Sequence, residues 1–128
     1  MAERIFKRGE VYWVNIEEEP DGKKNFKPKP KGSESQKNRP GVIISNNKQN
    51  QFSGAVIVAL ITSQFDKTYF FEVEVKAENK RGKVLTDQIY TIDKSRLGKK
   101  MGVLSEKQLK QLSIGLHIVL ELNCGISN

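Results

Sequence analysis

The sequence predicts a mainly β domain, a small and strongly bent sheet or barrel of short strands with one C-terminal helix packed on it. Three observations lead there. Short segments rich in β-branched and aromatic residues recur at close spacing with turn signals between them. One segment, Ala55-Val56-Ile57-Val58-Ala59-Leu60-Ile61, is continuously apolar over strand length, as expected of a central strand buried on both faces. After Ser105 the hydrophobic period changes from that of strands to that of a helix.

Taken in order, Val11-Tyr12-Trp13-Val14-Asn15-Ile16 reads as the first strand, introduced by Gly9. Residues 17–39 form a long loop without hydrophobic period, in which Phe26 is the only large apolar residue. A loop of this length is functional or ordered only on binding. The second strand is Gly41 to Ser45. Pro40 disfavours helix at Arg39, so that guanidinium is held at the strand's entrance. Asn46 to Gly54 is a polar turn with room for one helical turn, and the central strand follows. Phe71, Val73 and Val75 alternate with Glu72, Glu74 and Lys76, the mark of a strand with one wet face. A turn at Asn79-Lys80-Arg81-Gly82 leads to two short strands, Val84–Thr86 and Ile89–Ile92, and Lys100 to Leu104 reads as a last edge strand. Ser105-Glu106-Lys107-Gln108 fits a capping box. Leu109, Leu112, Leu116, Val119 and Leu120 then line one stripe of a helix over 105–123 that covers the open side of the barrel. No internal repeat appears, and residues 1–128 read as a single domain within the usual range of about 100–200 residues.

Hydrophobic content is 37% and charged content 29%, which suits a soluble globular chain able to bury a core. No apolar run approaches a membrane span, the first residues lack an apolar signal core, and a single cysteine, Cys124, allows no internal disulfide. These features predict a cytoplasmic protein. The net charge is +7, and seven bases against one acid between Lys23 and Arg39 account for +6 of it. Charge gathered in one loop predicts a polyanion partner, with nucleic acid ahead of a membrane.

Familiar catalytic signals are absent: there is no phosphate-binding glycine loop and no His-Glu-x-x-His zinc helix. The sole histidine, His117, shares a helical stripe with Ser113 and Glu121 and reads as a surface residue. Carboxylates, hydroxyls, amides and Arg39 remain. Thr62-Ser63-Gln64 ends the central strand, and Thr86-Asp87-Gln88 interrupts apolar segments. Arg39, Thr62 and Asp87 thus emerge from the ends of separate strands, which is how small folds assemble a site.

These residues carry a resemblance. Lys7-Arg8-Gly9-Glu10-Val11-Tyr12-Trp13, Gly32-Ser33-Glu34 before Arg39-Pro40, Thr62-Ser63-Gln64, and Asp87 to Lys94 followed by Arg96-Leu97 resemble, in order, the MazF/PemK toxin family. The resemblance implies an SH3-like barrel, usually a homodimer. It implies a metal-independent endoribonuclease without cofactors that cuts single-stranded mRNA, blocked by an antitoxin with an acidic tail of the MazE/PemI kind. Carried over by position, Arg39 and Thr62 are catalytic. Asp87 is a catalytic base, an RNA-orienting acceptor or structural. Lys29, Lys31, Ser33, Glu34, Gln36, Lys37, Ser63, Gln64 and Gln88 would contact RNA. The chain departs from the pattern at Leu85, where the PemK-like branch has an arginine, and in a longer, more basic first loop. Two alternatives stay open: a gyrase-poisoning toxin of the same fold, like CcdB, and a silent RNA-binding barrel.

Overall fold

In the computed structural model the structure describes residues 4–16, 38–64, 67–77 and 79–122. Six strands form one antiparallel sheet: β1 (Glu10–Asn15), β2 (Asn38–Ile43), β3 (Ala55–Thr62), β4 (Val73–Ala77), β5 (Lys80–Asp93) and β6 (Leu97–Val103). Helix α1 (Asn47–Phe52) precedes β3, a 3-10 turn (Lys94–Arg96) joins β5 to β6, and α2 (Glu106–Leu120) ends the described chain. The strand order is β4-β5-β3-β2-β1-β6. The edge strands β4 and β6 approach one another, so the sheet curls into a half-barrel.

Alternation along the strands builds two cores, one on each face. Val11, Val42, Ala59, Ile61 and Val84 point to one side, where they meet Met101, Leu104, Leu112 and Leu116 under α2. Tyr12, Val14, Ile43, Val56, Val58 and Ile92 point to the other and pack with Phe6 and Leu97. The capping box forms as read, with Ser105 and Gln108 bonding reciprocally. Glu121, in the left-handed conformation at φ 52°, ends the helix, short of the 123 expected from the stripe. Leu120 lies beyond the buried stripe and is exposed.

Strand boundaries differ from the sequence reading in an informative way. The segments Val84–Thr86 and Ile89–Ile92 belong to one strand of 14 residues. Polar Thr86-Asp87-Gln88 looked like a break, yet Thr86 is fully buried and its hydroxyl donates to the Phe71 carbonyl at 2.9 Å. The β3–β5 register passes from Ala59↔Ile89 to Ile61↔Val84, so Leu60 faces the four residues Leu85–Gln88. That bulge bends the sheet and turns Asp87-Gln88 out of the ladder. Phe71 sits in the turn before β4, β6 starts at Leu97 where Lys100 was expected, and α1 is longer than a single turn. Asn50 holds α1 down, because its buried amide donates to the Ser45 carbonyl at 2.9 Å.

Candidate functional site

Arg39 stands within β2, not ahead of it. Pro40 is tolerated inside this inner strand because the β2–β3 ladder begins only at Gly41↔Leu60, leaving Pro40 paired with Trp13 on β1 alone. The proline therefore frays β2 from β3 at one end, where both strands carry polar side chains. The β2–β3 pairing ends at Gly41↔Leu60, two residues short of Arg39 on one strand and of Thr62 on the other. Arg39 shares its face with Gly41 and Ile43, and Thr62 shares its face with Val56 and Val58. The two therefore lie on one face of the half-barrel, at the end where β2 and β3 part.

Arg39 is only 6% exposed, although the sequence places it beside a polar loop. Among the described residues no carboxylate forms a salt bridge with it. Burial pushes its guanidinium below the ordinary arginine value, and the phenol of Tyr90 nearby acts in the opposite direction. A buried cation to which no described residue offers a carboxylate is suited to an incoming anion. The Thr62 hydroxyl, partly exposed, accepts from the Gln64 amide at 3.2 Å, which fixes the oxygen and leaves its proton to donate.

Ser63, Gln64 and Asp87 are exposed, and Gln88 is half-buried beside Asp87 in the β5 bulge. The bulge flanks β3 on the side away from β2, so β3 lies between Asp87 and Arg39. Lys29, Lys31, Ser33, Glu34, Gln36 and Lys37 fall outside the described residues. His117 is exposed on α2, in keeping with its reading as a surface residue.

Two polar groups on this face escaped the sequence reading. Tyr90 packs against the interior core on the face that carries Arg39, and its phenol bears on the Arg39 charge. Its signal was a tyrosine in an otherwise aliphatic inward row. Lys83 pairs in register with Thr62, and its ammonium meets the Glu72 carboxylate at 2.9 Å with both side chains 6% exposed. The Glu72 carboxylate also accepts from the Tyr69 amide at 3.0 Å, so the turn before β4 is tied to the strand beside Thr62. Only the β3–β5 register reveals that neighbourhood.

A curled six-stranded half-barrel with a C-terminal helix, holding a buried arginine on the same face as a strand-end threonine, defines a class of small barrels equipped to grip a phosphate. The chain matches the model of the PemK-like, MazF-like toxins of type II toxin–antitoxin systems over residues 7–120, and it belongs to that family. A curated relative named endoribonuclease MazF, from Staphylococcus saprophyticus, is 33% identical over 126 residues, covering 90% of this chain and 96% of that protein. Among solved structures, a mycobacterial endoribonuclease in complex with its cognate antitoxin superposes with a TM-score of 0.71 at 22% identity, over 91% of this chain and 96% of that one. MazF from Deinococcus radiodurans gives 0.71 at 21% identity, over 94% and 100%. The fold expected from the resemblance is thereby shown.

Proposed function

We propose that this chain is the toxin of a type II toxin–antitoxin pair and acts as an endoribonuclease on single-stranded RNA, inhibiting translation and growth. The observation that carries the reading is Arg39: a guanidinium buried in the barrel wall, on the face that carries Thr62 and without a carboxylate partner among the described residues. The family and the named relative support it.

The chemistry suits these groups. The 2′-hydroxyl of RNA attacks the adjacent phosphorus, giving a 2′,3′-cyclic phosphate and a 5′-hydroxyl. Charge grows on the phosphoryl oxygens, and a preorganised fork of donors at Arg39 stabilises it more than the ground state. Thr62 donates its proton to the same phosphate. Asp87, presented by the bulge, is the proposed acceptor of the 2′-proton. No cofactor or metal is needed for these steps. Needing a 2′-hydroxyl makes DNA a non-substrate. Ser63, Gln64 and Gln88 are the proposed RNA contacts, together with Ser33, Glu34, Gln36 and the loop lysines. An antitoxin with an acidic tail would occupy the same cationic site, and the toxin would work as a cytoplasmic homodimer.

The test is incubation of purified protein with a long single-stranded RNA in EDTA, followed by mapping of fragment ends. Discrete cuts with cyclic-phosphate ends are expected, reduced on the order of 10²–10³-fold in Arg39→Ala, the usual cost of removing one such donor. Intact RNA would overturn the reading. Binding without cutting would favour a silent RNA-binding barrel, and trapped gyrase–DNA complexes a gyrase poison.

A further inference from the structure

Resting on the endoribonuclease reading, we propose that Tyr90 is a further catalytic residue, the proton donor to the 5′-oxygen that leaves when the RNA strand breaks.

Two registers put Tyr90 on the face that carries Arg39, level with Ile43. Val58 pairs with Tyr90 on one side and with Ile43 on the other, and Ile43 shares its face with Arg39. Gly41, between Arg39 and Ile43 on that face, has no side chain. Tyr90 lays its ring against the interior core with Val56 and Val58, as an amphipathic aromatic does when its polar end has a task. That end is close enough to Arg39 to influence its protonation. The phenol and the guanidinium therefore belong to one site, although they stand on strands separated by β3.

The reaction needs an acid there. As the 2′-oxygen bonds to phosphorus, the P–O5′ bond breaks and its electron pair goes to O5′, an alkoxide too basic to leave unprotonated. Of the described groups around Arg39, the guanidinium is committed to charge and gives up a proton with difficulty. Thr62 offers an aliphatic hydroxyl, which is a weaker acid than a phenol. A phenol is the best matched donor of the three. Its proton passes to O5′, the phenolate left behind faces the Arg39 cation, and water returns the proton afterwards. The 2′-proton goes separately to the acceptor proposed at Asp87.

Tyr90→Phe keeps the ring and removes only the hydroxyl, so packing against the core is preserved. The experiment uses single-turnover cleavage of two RNAs that differ at the scissile bond. One has the natural 5′-oxygen, and the other a bridging 5′-sulfur, whose thiolate leaves without a proton. For Tyr90→Phe, the natural RNA should be cut about 10²-fold more slowly, with affinity unchanged, and the sulfur RNA at close to the wild-type rate. Arg39→Ala should slow both substrates. Equal slowing of both RNAs by Tyr90→Phe, or no slowing of either, would overturn the proposal. A wild-type protein that cuts neither RNA would instead overturn the endoribonuclease reading on which it rests.

Discussion

Replacing Gly115 with alanine should destabilise the protein, against the sign that helix propensity alone predicts. Within an exposed helix the change would gain about 1 kcal/mol. Here a Cβ on Gly115 would sit 2.6 Å from the Phe71 carbonyl oxygen, 3.1 Å from Thr86 Cγ2 and 3.2 Å from Val73 Cγ2. The carbonyl cannot swing aside, because it accepts the Thr86 hydroxyl at 2.9 Å. Helix α2 must lift instead, loosening Leu112 and Leu116 from their core. Overpacking of this kind costs about 1–3 kcal/mol, and a clash with backbone belongs in the upper part of that range. Set against the propensity gain, the net loss is about 1–2 kcal/mol. Urea unfolding followed by circular dichroism measures it directly, with Gly54→Ala as the control. A Cβ at Gly54 meets nothing within 4 Å, so that variant should match or exceed wild type. Gly115→Ala at or above wild-type stability would refute the close docking of α2 on the turn before β4.

Lys83→Met leaves the Glu72 carboxylate buried without its cation and should cost about 3–5 kcal/mol, whereas adding Glu72→Leu should recover most of it. Thermal melts showing equal losses in the single and double variants would mean that the two groups are not coupled. Burial, and then the hydrogen bond to Glu10, pushes the Tyr12 phenol up to about 12. Its folded value lies above the unfolded one, so its contribution is complete below about pH 10 and is lost as pH climbs towards 12, a difference on the order of 3 kcal/mol. Tyr12→Phe should remove that alkaline decline, and parallel declines in both proteins would exclude the tyrosine as its source. Neutralising Lys23, Lys24, Lys27, Lys29 and Lys31 should weaken RNA binding and flatten the log–log salt slope, by roughly 0.7 for each phosphate of a single strand that is no longer neutralised. An unchanged slope would reduce the loop to a linker.

The residues by themselves determined the strand-rich class, the central strand at Ala55–Ile61 and the capped helix, because periodicity and capping are local properties. They also singled out Arg39, Thr62 and Asp87, though only as polar groups at the ends of separate strands. Tertiary structure decided what those groups are to one another. The registers of β1, β2, β3 and β5 put Arg39, Thr62, Lys83 and Tyr90 on one face. Folding also closed the barrel wall over an arginine that the chain places next to a polar loop. The bulge at Leu85–Gln88 was invisible for a related reason. A polar run reads as a break until the Thr86 hydroxyl is seen bonded to a carbonyl 15 residues away in the chain. Pairing partners and burial arise from contacts between distant segments, and no local pattern encodes which strand will lie alongside which.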